Sequence, residues 1–371
     1  MKRLFSTLSV VILALFIVSC GNAPPAPMTT VETPEVIVPE TSENETPAET
    51  PEEPSAEALS IDSLYPFTAN VEKVFEGNGN EFAAYVEYVD YIQGDKIQIR
   101  SNNGGTEVVK VITKNDDEVK VVYEEAEVYY KENFLDKASN TSEILLKAPI
   151  AVGTTWNNGE NEKSTITALD KMIKTPYGEL KAVEVTTIST VNGDQVQTLN
   201  YYAKGLGLVY TMNKASDYEI SSSLKEYNKD TSRLKVVNFY YPNVDEKITL
   251  FRKNLEFKTN DIPRNLILDA YKDVPENVLG VLTKNTIVNY LYLNKDGMVY
   301  VDLSKDFITE MNLGSGYEML VLQALTNTLG DYYGASKVIL TIDGETYESG
   351  HILLEKFEPL EVNYDGVIDM N

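Results

Sequence analysis

The chain has 371 residues, 43% of them hydrophobic, and a formal net charge of -25. That supplies apolar material for two ordinary domains, and the carboxylate surplus repels nucleic acid and anionic lipid headgroups. A single cysteine and a single histidine exclude an internal disulfide and a zinc site built on paired histidines.

The chain opens with Lys2 and Arg3, then an apolar stretch from Leu4 to Val18 broken only by Ser6, Thr7 and Ser9. At about fifteen residues it is short of the ~20 that cross a bilayer as a helix and fits the apolar core of a signal peptide. It ends in Ile17-Val18-Ser19-Cys20-Gly21, which resembles the bacterial lipobox. The resemblance implies removal of residues 1–19 and a diacylglyceryl group on Cys20. The protein is therefore expected outside the cytoplasm, lipid-anchored to the outer face of the cell membrane. More than one acyl chain is needed because a single chain binds a membrane only marginally.

Residues 20–59 read as a linker of Pro-Pro-Ala-Pro, Thr-Pro-Glu and Glu-Glu-Pro, with no Lys or Arg between Leu4 and Glu72. Proline stiffens it, like charges extend it, and it lacks the apolar residues to bury a core.

From residue 60 to 230 apolar and polar residues alternate, broken by turn residues about every ten positions. Phe82 to Tyr91, Lys96 to Ser101, Thr106 to Thr113 and Val119 to Tyr123 read as strands. So do Ser164 to Lys174, Glu179 to Ser189, Gln195 to Ala203, Leu208 to Asn213 and Tyr218 to Tyr227. Phe134 to Leu146 reads as a short helix or a crossover. About nine antiparallel strands must curl, sandwich or close into a half-barrel or barrel. Trp156, after Gly153-Thr154-Thr155, is expected to anchor the core. That run, Thr175-Pro176-Tyr177-Gly178 and Tyr202-Ala203-Lys204-Gly205-Leu206-Gly207 together resemble β-rich lobes of other bacterial envelope lipoproteins.

From residue 234 to 362 the period changes. Leu234 to Tyr241 is a strand, and Ile248 to Lys258 is strand-like with a turn near Lys253-Asn254. Pro263 opens a helix with Leu266, Ile267, Ala270 and Tyr271 on one face, stopped before Pro275. Thr286 to Leu293 and Met298 to Leu303 form a hairpin. Ser315 and Glu318 have the spacing of a capping box. The helix it starts carries Leu320, Val321, Leu325 and Leu329 and is expected to end at Gly330. Lys337 to Ile342 is a last strand, and 363–371 a tail. One sheet with both helices on a face would bury these stripes. The fold class is thus α+β and multidomain, an antiparallel β-rich domain followed by a small α/β domain.

Several of these residues together resemble the GerMN domain of sporulation and germination lipoproteins. They are Asp296-Gly297-Met298-Val299-Tyr300-Val301-Asp302-Leu303-Ser304, Gly314-Ser315-Gly316-Tyr317-Glu318, Ala324 to Leu329, Lys337 to Gly344 and Gly350-His351. The resemblance covers about 235–361 and implies a fold similar to ring-building modules of secretion machines. It also implies envelope or sporulation proteins as partners, with a homo-oligomer among the readings. One GerMN unit is present rather than a tandem.

The chemistry inventory points away from catalysis. His351 stands alone, Cys20 carries lipid, and no Gly-x-Ser-x-Gly elbow or complete phosphate loop occurs. Asp116-Asp117-Glu118 and Glu124-Glu125-Glu127 read as a solvated acidic edge, without calcium-loop spacing. No enzyme activity, metal or cofactor is expected. The leading expectation is a structural or protein-interaction lipoprotein whose partner surface lies on an exposed helix face near Gln323, Asn327 and Asp331. The alternatives are an apolar or lipid-like envelope ligand held in the β-rich domain, and a regulator or sensor of cell-wall metabolism.

Overall fold

The computed structural model describes residues 59–191 and 193–370. The signal segment, Cys20 and the linker up to residue 58 lie outside the described residues.

The first lobe begins with a single helical turn, α1 (Ile61–Leu64), capped by Ser60. Six strands follow: β1 (Glu72–Asn78), β2 (Tyr85–Gln93), β3 (Lys96–Asn102), β4 (Glu107–Lys114), β5 (Glu118–Ala126) and β6 (Glu143–Lys147). Six more complete the lobe: β7 (Thr155–Asn157), β8 (Glu162–Thr175), β9 (Gly178–Val191), β10 (Asp194–Ala203), β11 (Gly207–Lys214) and β12 (Glu219–Asn228). They form one 12-stranded sheet in the order β6-β5-β4-β3-β2-β1-β12-β11-β10-β9-β8-β7, antiparallel at every step. The sheet curls until it is nearly closed. Ile97 and Ile99 of β3, Val121 of β5, Ile166 of β8 and Tyr202 of β10 meet in one core, with Ile61 and Leu64 of α1 against it.

Three of these strands have no expectation behind them. In β1 the apolar residues are Val74 and Phe75, side by side, so the segment shows no two-residue alternation. The apolar run of β6 sits in the segment read as a helix or crossover; so short a run carries no period that separates strand from helix. β7 has only three residues. Trp156 within it is buried, and its indole N–H donates to the Ile144 carbonyl at 2.9 Å.

The second lobe starts with a ladder of β13 (Arg233–Pro242) and β14 (Ile248–Phe257). β14 runs unbroken through Lys253 and Asn254, which pair with Val237 and Val236. The Lys253 ammonium instead reaches the end of the next helix, α2 (Pro263–Lys272), donating to the Ala270 carbonyl at 2.7 Å. A cation there complements the free carbonyls of a helix C-terminus. A second sheet holds β15 (Val288–Leu293), β16 (Val299–Leu303), β17 (Lys337–Ile342) and β18 (Glu345–Thr346) in that order, with β19 (Leu360–Glu361) also on β17. A short turn of helix, α3 (Asp306–Thr309), precedes the long α4 (Ser315–Tyr333). The strands thus divide between two sheets rather than joining in the single sheet expected.

α4 departs from its expectation in two ways. Its N-cap is Gly314 without a side-chain bond, so no capping box forms. Glu318 is buried and accepts from the Tyr347 hydroxyl at 2.6 Å. The helix also runs past Gly330 to Tyr333, where Gly334 caps it at φ 68. Gly330 is there for space: a Cβ would lie 2.3 Å from Val362 and 2.7 Å from the Ala335 carbonyl. Residues 363–370 are not a free tail. Tyr364 packs on Tyr240, and β20 (Ile368–Asp369) pairs parallel with β14. Arg252 grips Asp369 through two bonds of 2.8 and 2.9 Å.

The described chain is one compact unit, and a polar seam joins the lobes. The Tyr88 hydroxyl lies 3.0 Å from the Thr231 carbonyl and 3.1 Å from that of Phe257. Asn70 and Thr259 exchange bonds of 2.8 and 2.9 Å. Beneath them the Arg100 guanidinium binds Asp90 and Glu107, each at 2.9 Å, while Arg233 reaches Glu107 at 2.8 Å. The Lys131 ammonium donates to the Asp90 carbonyl at 2.8 Å and to that of Lys258 at 3.2 Å. Asp90 and Lys131 are wholly buried and Arg100 nearly so. Burial alone pushes the Asp90 carboxyl up, but the Arg100, Lys131 and Arg233 charges outweigh it and hold it below its ordinary value.

Candidate functional site

The face expected near Gln323, Asn327 and Asp331 is not an open surface. Asn327 is fully buried. Its amide donates to the Asn363 carbonyl at 2.6 Å and accepts from the Asn363 N–H at 2.9 Å. Gln323 is half-buried and donates to Asn327 at 2.9 Å and to the Glu361 carbonyl at 3.0 Å. Asp331, also half-buried, accepts from Asn238 at 2.6 Å and from the Tyr240 hydroxyl at 3.0 Å. The three residues bind the last segment of the chain and β13 to the helix. Val321, Ala324, Leu325 and Leu329 are buried as expected, and Leu320 is half-buried. Because Thr326, Asn327 and Thr328 are buried too, α4 is enclosed on nearly every side. His351 is exposed, and its backbone N–H donates to the Ser349 hydroxyl. Cys20 lies outside the described residues.

A second candidate, which no motif marks, lies inside the curl of the first lobe. Ile99, Ile112, Val121 and Leu145 come to it from β3 to β6, and Tyr202 and Leu208 from β10 and β11. Strands from both halves of the sheet order can meet around one space only because the sheet curls. The cavity measures about 300 Å³, near the lower end of small-molecule sites at ~300–1,000 Å³. It opens beside a smaller one of about 230 Å³ that shares Glu143, Leu145 and Asn200. The walls are mixed rather than purely apolar. Lys73 and Glu87 form an ion pair at 3.2 Å among them. Tyr65 and Tyr202 stand with ring centroids 6.4 Å apart. Burial raises the Glu143 carboxyl against the opposing effect of Lys110. Burial, with Glu143 adding to it, raises the Tyr202 hydroxyl. The residues of this cavity are ordinary strand formers in sequence, so only the curl brings them together.

Residues 238–348 match the family described as "Germane: Sporulation and spore germination". Among solved structures, the tandem GerMN domains of the sporulation protein GerM from Bacillus subtilis are 20% identical, with a TM-score of 0.28. That likeness covers 35% of this chain and 46% of the GerM chain, so the present chain spans under half of that relative. The first GerMN domain of the same protein is 21% identical over 34% of this chain and 97% of the domain, with a TM-score of 0.28. A protein with a YmcC-like fold from Bacteroides fragilis is 11% identical over 46% of this chain and 100% of its own, with a TM-score of 0.30. No curated protein matches. Among the described residues no helix is long and apolar enough to cross a membrane. Residues 238–348, which include the buried helix α4, are thus a region similar to the sporulation and spore germination family.

Proposed function

We propose that this protein is an extracytoplasmic lipoprotein, held to the membrane by lipid on Cys20, that acts through protein contacts in a sporulation or germination assembly and not through catalysis. The observation that carries the reading is the family match over 238–348. The lipobox-like Ile17 to Gly21 supports the anchor. Support for a non-catalytic role comes from the same family match and from the site residues themselves. Gln323, Asn327 and Asp331 hold the fold together, and the exposed His351 makes a local turn contact through its backbone N–H. The contact surface then lies on the lobe's exterior rather than on those three residues.

The test is in-cell cross-linking of the tagged full chain in an endospore-forming host, compared between sporulating and vegetative membranes. The reading expects defined cross-linked partners in the sporulating sample, lost when Cys20→Ser removes the protein from the membrane. The same partners in both states, or none in either, overturns it.

A further inference from the structure

The cavity in the curl of the first lobe is lined by polar groups that the protein itself does not satisfy. Tyr202 is 1% exposed, yet its hydroxyl has no hydrogen-bond partner among the described residues. The hydroxyls of Tyr65 and Tyr85, on the same cavity, are likewise without one. The half-buried Glu143 carboxylate has neither a hydrogen bond nor a cation at ion-pair distance among the described residues. The two lysines of the wall are engaged elsewhere, Lys73 with Glu87 at 3.2 Å and Lys110 with Glu124 at 3.1 Å. An unpaired, partly desolvated carboxylate is costly unless something opposite in charge meets it.

These groups select a class of ligand. An anion would face Glu143 without a free cation to offset it. A purely apolar ligand would displace water and leave Glu143 and the tyrosine hydroxyls unpaired, at a cost for each. A cation with N–H donors meets all of them: the carboxylate takes the charge, the hydroxyls accept hydrogen bonds, and tyrosine rings attract ammonium groups. Opposite them the wall is aliphatic, with Ile112, Val121 and Leu208, which suits a short hydrocarbon body.

We propose that this cavity is a binding site for a small organic ammonium compound, a protonated amine on a short aliphatic body. Its ammonium group sits at Glu143 among the hydroxyls of Tyr65, Tyr85 and Tyr202, and its alkyl part lies along Ile112, Val121 and Leu208. The site is in the first lobe, apart from the family-matched residues, and does not depend on the protein-contact reading above.

The experiment uses the full chain at physiological ionic strength with three probes of one shape: hexylammonium, 1-hexanol and hexanoate. Calorimetric titration and thermal melting are read for each. Hexylammonium is expected to bind saturably with one site and to raise the melting temperature, about tenfold or more tighter than hexanol, with no binding of hexanoate. Glu143→Gln keeps the shape, removes the charge, and is expected to weaken hexylammonium about tenfold or more while melting as well as the parent in its absence. Tyr202→Phe keeps the ring and is expected to weaken it less. The surface carboxylates of so acidic a chain attract any ammonium weakly, and the Glu143→Gln comparison separates that background from the site. Equal affinity for hexanol, measurable binding of hexanoate, unchanged hexylammonium binding in Glu143→Gln, or no saturable binding of any probe overturns the proposal.

Discussion

The side-chain amide of Asn158 stands in for a missing strand beside Ile144. Its Oδ1 accepts the Ile144 N–H at 2.9 Å, and its Nδ2 donates to the Ile144 carbonyl at 3.0 Å. Ile144 lies on β6 and Asn158 directly follows β7, the two ends of the sheet order. No ladder joins these edges; side chains do, with the Trp156 indole adding its bond to the same carbonyl. An unpaired strand edge is a template for unwanted pairing, so the staple both closes the curl and covers an edge.

Asn158→Ala is expected to lower stability by ~1–3 kcal/mol, the range for leaving backbone groups unpaired. Denaturant unfolding measures the loss. Hydrogen exchange should speed up at Ile144 and its β6 neighbours, with β2 and β3 unchanged. Uniform exchange across the sheet would show that the staple carries no local closure.

The seam between the lobes predicts a strong response at Asp90. Asp90→Ala leaves Arg100 and Lys131 buried with a partner gone, and breaking a buried pair costs ~3–5 kcal/mol. The pH dependence has a definite sign. The Asp90 carboxyl is held below its ordinary value in the folded state, so its contribution is present above the unfolded value near ~3.9 and is lost as pH falls below it. Acid unfolding of the parent and of Asp90→Asn, followed by tryptophan fluorescence, should differ in slope below about pH 4 and run parallel above about pH 5. Parallel curves throughout would remove Asp90 from the acid response.

Cutting the chain between the lobes tests the seam from the other side. Fragments 60–230 and 234–362 each retain an apolar core, and each is expected to express soluble and melt cooperatively. Each should melt below the joined chain, because the cut removes the bonds from Tyr88 to Phe257 and from Arg233 to Glu107. The second fragment also lacks β20, whose Asp369 is held by Arg252. Failure of both fragments beside a stable joined chain would show that neither core suffices alone.

In α4 three substitutions separate packing from capping. Leu325→Ala, 3% exposed in the core, should cost ~2–5 kcal/mol. Ser315→Ala should fall within about 0.5 kcal/mol, as a surface change does, because Gly314 and not Ser315 is the cap. Asn327→Ala should cost ~1–3 kcal/mol through the Asn363 backbone groups it leaves unpaired, and should make the chain beyond residue 362 a target of limited proteolysis. An unchanged digestion pattern would mean that the segment is held by β20 and Tyr364 without Asn327.

Cys20→Ser should release the protein from membranes or leave it as an unprocessed precursor of higher mass. Fractionation and labelling with a palmitate analogue read this directly. A parent protein that is membrane-bound and mature in size but unlabelled would contradict the lipid anchor.

Much of this molecule follows from local pattern. The alternation of β2 to β5 and β8 to β12, the start of α2 at Pro263, and the hairpin of β15 and β16 all have apolar periods that no other element satisfies. The grouping of Asp296 to Ser304 with Ala324 to Leu329 already points to the family found over 238–348. What the residues could not settle alone is everything set by distance in sequence. β1 has only Val74 and Phe75, side by side, as apolar residues, and is a strand because β2 and β12 pair with it on both sides. Gly330 looks like a helix end until Val362, thirty-two positions on, takes the space of its missing Cβ. Asn327 and Asp331 are polar and fall on the helix face that sequence periodicity leaves outside, but a chain segment from residues 361 to 364 and strand β13 cover that face and supply their partners. Tyr65, Tyr202 and Glu143 carry no mutual spacing at all; they share a cavity because a sheet of twelve strands curls back on itself. Periodicity reports which side of an element is buried, whereas only tertiary packing decides what lies against it.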